Sequence, residues 1–398
     1  MIKMKKEPSS VLFITPGASP VGGNIFLLNF LKWFKQNSRI PFLTIYGHEG
    51  ELAGEFSALS ESFQFDHDFT EQRVWKKGLN RISDKMDLRT RGLRKRLEDK
   101  NIGLIYSNAV TNYRILSALP ESLKTGVPLI SHCHELESVI RRTGLGEFEK
   151  TKKMTTQFIA ASEAVKNNLV NNHSVEGEKI EVVREFIPVE EFSAEEVQKN
   201  RAEVLRELDI PENAFIVGGS GTLYWRKAPE IFLLIANEFR KAAPDTPVYF
   251  VWVGGAEKGD FRFFELEFDL RQLGLQDKVR FLEHKADPQK YFSAFDLFLL
   301  TSREDPYPLV CLEAAALGKP VICFENSGGM PEFIEQDAGY TVPYLDTRAA
   351  AEKVLFLFQH PEVRNSLGTA AAKKVRERHS VPVAAPQLLK IIEKHLAQ

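Results

Sequence analysis

Two carboxylates, Asp305 and Glu313, stand eight positions apart in the stretch TSREDPYPLVCLEAAALGKPVI, Thr301 to Ile322. Paired acids at the rim of a binding site suggest acid/base chemistry. On its own, an acid near a helix start is as well explained by the helix dipole. A cation pair, Arg226 and Lys227, follows the glycine-rich run Gly218-Gly219-Ser220-Gly221. Two cations at a helix start oppose the dipole unless an anion lies between them. The third cluster is Ser131-His132-Cys133-His134-Glu135. His-Glu suggests zinc, but position 138 is Ser138 where H-E-x-x-H needs a second histidine.

Short buried strands must place these groups. The apolar run Phe295 to Leu300 has the length of a buried parallel strand. Pro306 and Pro308 then keep the chain out of a helix and remove two backbone donors. Leu309 to Leu317 are strong helix formers, stopped by Gly318 and Pro320, and a second strand runs from Pro320 to Phe324. Asp305 and Glu313 thereby fall near the C-terminal ends of strands, where ligands of open α/β sheets bind.

This unit resembles the signature of the retaining GT-B glycosyltransferases of family 4, which read E-x7-E followed by a strand and a Gly-Gly-x-Pro-Glu loop. That loop is present as Gly328, Gly329, Met330, Pro331 and Glu332. The resemblance implies that Asp305, where the family usually has Glu, contacts the donor sugar, and that Glu313 holds the nucleotide ribose. Backbone N–H groups of Leu309 and Val310 would reach the sugar or phosphate, and Gly328 and Gly329 open a helix whose N–H groups could hold phosphate.

The same family shows G-R-L-x-x-x-K-G at the start of its second domain. Here Gly221, Leu223 and Lys227 match, Thr222 replaces the Arg and Ala228 the final Gly. Arg226, beside Lys227, is the candidate for the missing guanidinium, and the pair would stabilise a departing diphosphate without a metal. Near the N-terminus, Gly22 and Gly23 precede a helix starting near Asn24. The residues alone leave a flexible turn and an anion site equally open; the resemblance places a donor- or acceptor-contacting loop there. It also places a histidine in the loop after Pro128 to His132, beside the reacting sugar carbon. His134 is the better match, with His132 read as a strand residue.

The rest of the chain supplies a frame. Its 398 residues suggest two domains, with 43% apolar and 27% charged residues as in ordinary soluble proteins. A net charge of −2 argues against a dedicated nucleic-acid binder. Cys133, Cys311 and Cys323 have no metal-ligand spacing and read as core residues in a reducing compartment. No apolar run reaches the ~18 residues of a membrane span, and the start does not read as a signal peptide, so a cytoplasmic setting is expected.

Candidate strands at Val11–Thr15, Pro41–Tyr46, Ile102–Ser107, Pro128–His132, Gln157–Ala161 and Ile180–Phe186 alternate with helical patterns. A second set follows at Phe215–Gly219, Val248–Gly254, Val279–Leu282, Phe295–Leu300 and Val321–Phe324. The expected fold is α/β, two Rossmann-like doubly wound domains facing a cleft. Residues 1–187 would bind the acceptor and 188–380 the nucleotide sugar, while 381–398, with a helix from about Pro386, cross back toward the first domain. Residues 71–100 carry eleven cations against five acids. A solvated helix face is the ordinary meaning; contact with an anionic membrane or phosphorylated acceptor is the sharper one.

The expected activity is sugar transfer from a nucleotide-diphosphate sugar to a glycan, lipid-linked or small-molecule acceptor, in glycan or glycolipid assembly, with no cofactor and no essential metal. In the family's usual mechanism attack comes from the leaving-group face and the donor phosphate takes the acceptor proton. Asp305 and Glu313 are then not a glycosidase acid and nucleophile. A hydrolase or phosphorylase and a non-catalytic GT-B nucleotide-sugar-binding or scaffold protein are the alternatives.

Overall fold

The computed structural model describes residues 9–65, 88–189, 192–255 and 260–397. They divide into two compact units. One runs to Ala161, resumes over Val165–Val183 and takes in the chain from Ala384; the other is Ser162–Ala164 with Arg184–Val383.

The first unit holds a parallel sheet of β1 (Ser10–Gly17), β2 (Phe42–His48), β3 (Glu61–Gln64), β4 (Ile102–Ser107), β5 (Leu129–Cys133), β6 (Gln157–Ala160) and β7 (Ile180–Val182). Their order is β3-β2-β1-β4-β5-β6-β7, so the winding reverses between β1 and β4. Phe13 pairs in register with Thr44 on one side and Tyr106 on the other. Its ring meets those of Phe30, Phe34 and Tyr106 at 5.2–6.1 Å, which fastens the Gly22–Asn37 helix to the sheet.

The second unit repeats the plan with β8 (Phe215–Ser220), β9 (Val248–Val253), β10 (Val279–Phe281), β11 (Leu297–Leu300), β12 (Val321–Phe324) and β13 (Gly339–Val342). Their order is β10-β9-β8-β11-β12-β13, and the reversal falls between β8 and β11. In a doubly wound sheet that reversal opens a crevice beyond the strand ends, the usual place for a ligand. The chain segments leaving β8 and β11 are those that carry Arg226, Lys227 and Asp305.

Two features depart from the sequence reading. The edge strands β3 and β13 were not anticipated. The last helix is continuous over Val381–Leu396, with Pro386 inside it rather than opening it. A proline there removes one backbone donor, and burial of Ala384, Ala385, Leu388, Ile391 and Ile392 offsets that loss. Within the first unit this helix reaches Glu181 through Lys394 at 3.3 Å. The basic stretch is seen only in part: 71–87 lie outside the described residues, and the helix Leu88–Glu98 follows. After it, Lys100 pairs with Glu61 at 2.6 Å. Among the described residues no helix is long and apolar enough to cross a membrane.

Candidate functional site

Past β8 the backbone turns at Gly221, whose φ of 147° suits glycine. Trp252 Nε1 donates to its carbonyl at 2.8 Å and holds the turn. A Cβ on Gly221 would sit 3.1 Å from Lys227 Cγ, so the bare glycine leaves the Lys227 stem its path. Ala228 adopts left-handed backbone, φ 52°, ahead of the Pro229–Ala242 helix. The resembled pattern has Gly there, the residue that takes this backbone without Cβ strain, and Ala228 accepts that strain. Thr301 Oγ1, just past β11, donates to the carbonyls of Lys227 and Ala228 at 3.1 Å and ties the two loops together.

Asp305 is 4% exposed. Arg226 Nη1 lies 3.1 Å from its Oδ1, Lys227 Nζ 2.5 Å from its Oδ2, and Ser302 Oγ donates to Oδ2 at 2.9 Å. Arg226 also donates to the Glu304 carbonyl at 3.0 Å. Burial alone would raise the Asp305 carboxyl, but Lys227 and Arg226 outweigh it and hold the group below the usual range, ionised. Burial pulls Lys227 below the usual lysine range, with Asp305 opposing and Arg226 adding to the shift. One buried carboxylate thus gathers two cations, whose side chains remain 20% and 14% exposed. Three groups with a net positive charge can take an anion on their open side.

The backbone around Asp305 is built for close approach. Asp305 N donates to Ser327 O at 2.6 Å, Gly329 N donates to Asp305 O at 3.1 Å, and Asp305 bridges Gly328 in parallel. A Cβ on Gly328 would lie 1.8 Å from the Asp305 carbonyl oxygen, and one on Gly329 2.3 Å from that of Pro306. The immediate work of these glycines is therefore to seat the acidic loop. The Leu309–Ala316 helix starts after Pro308 with no side-chain cap, leaving its first N–H groups to other partners. Leu309 is buried, Val310 and Glu313 half-buried, and Thr222 exposed.

In the first unit, a second cluster lies past the reversal between β1 and β4. Asn108 Nδ2 donates to Gly23 O at 2.7 Å, and Asn108 Oδ1 is 3.0 Å from His134 Nε2. The Gly22–Asn37 helix has no side-chain cap, and a Cβ on Gly23 would sit 3.8 Å from the His134 ring. Glu135 accepts from the backbone N–H of His134 at 2.9 Å; burial raises its carboxyl. His132 is fully buried in β5, with its Nδ1 2.6 Å from the Tyr106 hydroxyl, and burial, then His134, push its pKa well down. Among the described residues no group of three His, Cys, Asp or Glu could hold a metal ion. Sequence reasoning missed Asn108 and Ser302; the second stands three residues before Asp305, while Asn108 meets His134 only through pairing of β4 and β5.

Residues 200–374 match the family model described as glycosyl transferases group 1. That segment is similar to glycosyl transferases group 1. A D-inositol 3-phosphate glycosyltransferase of Salinispora tropica is 26% identical over 270 residues, 63% of this chain and 56% of that protein. Its namesake in Corynebacterium kroppenstedtii is 30% identical over 185 residues, 45% of this chain and 40% of that one. The chain spans about half the length of the curated relatives it matches. Among solved structures, Anabaena HepE in complex with UDP superposes with a TM-score of 0.78 at 20% identity, covering 97% of this chain and 100% of that one. The fold is GT-B, built from two Rossmann-like units.

Proposed function

We propose that this protein is a retaining glycosyltransferase that moves a sugar from a nucleotide-diphosphate sugar to an acceptor hydroxyl, in glycan or glycolipid assembly. The observation that carries the reading is the convergence of Arg226 and Lys227 on buried Asp305 at the β8/β11 reversal. A diphosphate seated on the open side of the two cations gains charge as the bond from the anomeric carbon to the bridging oxygen breaks. Preformed cations favour that moment most. The acceptor oxygen bonds to the anomeric carbon on the same face, and its proton passes to the departing phosphate.

Around that step, Glu313 takes the ribose hydroxyls. The uncapped N–H groups at Leu309 and Val310, with the turn at Gly328 and Gly329, face the phosphate or sugar. Asp305 holds the cations in place and, with lone pairs to spare, accepts from donor-sugar hydroxyls. Gly221 and Thr222 line the diphosphate, and Arg226 stands in for the guanidinium that Thr222 lacks. In the first unit, Gly22 and Gly23 serve donor or acceptor binding, and His134 serves the transfer step. No essential metal is needed, because the cation pair supplies the charge. HepE was solved with UDP and with UDP-glucose, which makes UDP-sugars the first donors to try.

The test is incubation with UDP-, GDP- and ADP-sugars in excess EDTA, following nucleotide release and the product's anomeric configuration. Release that depends on an acceptor, with retained configuration, is expected; inversion, or turnover only after Mg²⁺ is restored, overturns the reading. Thr222 in place of the family's Arg favours one rival, a non-catalytic nucleotide-sugar-binding protein, which would bind donor and release nothing.

A further inference from the structure

Beyond the donor site, the second unit has a cavity of about 680 Å³ lined in part by Leu223, Tyr224 and Trp225, from the loop that also carries Arg226 and Lys227. That size falls within the range of small-molecule sites. We propose that it binds a saccharide chain without negative charge.

The walls are aromatic and open. Trp225 is 57% exposed, and across from it Phe264 and Phe268 on the Phe261–Gln272 helix are 52% and 48% exposed. The two phenylalanines are four residues apart and share one helix face. Single exposed apolar side chains are ordinary, but several around one concavity mark a binding surface. Trp225 is also held still. The Arg303 guanidinium lies 5.2 Å from its ring centroid, and Arg303 Nη1 donates to the Trp225 carbonyl at 2.7 Å and to Glu230 at 2.6 Å. A platform fixed before the ligand arrives saves the ordering cost of binding.

Charge selects the ligand. The cavity is lined by Glu265, Asp269 and Glu230, the last paired with Arg303, and by one cation, Arg262, whose guanidinium is engaged by Asp260 at 2.5 Å. Glu265 and Asp269, four residues apart on the helix, have no ion-pair partner among the described residues. Carboxylates accept hydrogen bonds and repel phosphate and anionic lipid. Aromatic faces attract the positive edges of C–H bonds. A pyranose offers both at once, C–H groups for the rings and hydroxyls for the acids, and an open groove suits a chain of them.

The test is calorimetric titration of the full chain, without nucleotide, against hexasaccharides of the malto, cello and N-acetylchito series, with oligogalacturonate as the anionic control. At least one neutral series binds, and the anionic chain binds about tenfold more weakly or not at all. Trp225→Ala and Phe264→Ala each weaken that binding about tenfold, while UDP affinity in Phe264→Ala stays within about twofold. Absence of neutral-chain binding at millimolar concentration, or binding untouched by both variants, overturns the proposal. So does a loss, in Phe264→Ala, of self-association in sedimentation or of adhesion to phosphatidylglycerol vesicles, which would assign the face to a second copy or a membrane. Failure of the donor reading shows separately, as absent UDP-sugar binding with oligosaccharide binding intact.

Discussion

Lys227 Nζ and Asp305 Oδ2, 78 residues apart in the chain, meet at 2.5 Å beneath the loops that leave β8 and β11. The carboxylate is shared with Arg226, so removing it strands two cations in a poorly solvated place. Asp305→Ala should destabilise the fold by about 3–5 kcal/mol, because breaking one side of a buried pair leaves the other uncompensated. Thermal melting checks this. The double variant Asp305→Ala/Lys227→Met should melt higher than Asp305→Ala alone; a lower melting temperature would show that the pair is not what Asp305 stabilises.

The cations should act chiefly on the rate. In the proposed transfer the donor diphosphate is charged before reaction, so some ground-state affinity is lost with either residue. The larger loss comes as charge builds on the leaving group, about 3–4 kcal/mol of barrier or a hundredfold and more in rate. Lys227→Ala and Arg226→Ala should each lower kcat far more than they raise donor KM. A kinetically silent Arg226→Ala beside a crippled Lys227→Ala would remove Arg226 from the role that Thr222 leaves open.

Gly221→Ala tests the path of the lysine rather than its charge. The added Cβ meets Lys227 Cγ at 3.1 Å and strains a backbone φ of 147°. Activity should fall in the pattern of Lys227→Ala, reduced kcat with donor KM less affected, at a stability cost of roughly 1–3 kcal/mol. Wild-type kcat in this variant would show that Lys227 does not depend on the bare glycine.

A pH effect on stability should arise at His379. Its Nδ1 is 2.9 Å from the Glu185 carbonyl, which can only accept, so Nδ1 carries the proton and Nε2 faces the Tyr307 hydroxyl at 3.3 Å. Burial first, then Arg184, Arg378 and Lys374, outweigh the Glu185 hydrogen bond and lower the pKa to about 4. The unfolded histidine titrates near 6.5. Stability is therefore whole above about pH 6.5, falls as pH drops toward 4, and levels off below, by roughly 3 kcal/mol in all. The melting difference between wild type and His379→Asn should shrink over that window; a constant difference would mean that His379 does not titrate there.

Much of this was legible in the chain. Ile102–Ser107 was read to the residue and Val321–Phe324 to within one, because buried parallel strands are continuous apolar runs with sharp flanks. β3, with the sequence ESFQ, and β13, GYTV, were missed because each is a short edge strand with little apolar run to read, and the partner strand decides whether it forms. The break before the last helix falls at Ser380, whose backbone is extended, and the helix then runs through Pro386 because buried neighbours outweigh one missing donor.

The sequence by itself determined which groups could do chemistry: Asp305 and Glu313 at fixed spacing, Arg226 beside Lys227, and glycines where a left-handed or crowded backbone would be needed. It also carried the alternation of strand and helix that makes each unit doubly wound. Only the tertiary structure decided that Arg226, 79 residues from Asp305, would share its carboxylate with Lys227, that Gly328 would pair with Asp305 through the backbone, and that Trp225 would face Phe264 across an open cavity. Periodicity and spacing are local properties of a chain. Pairing across a sheet reversal is set by which strands lie side by side, and that follows from burying both sheet faces at once.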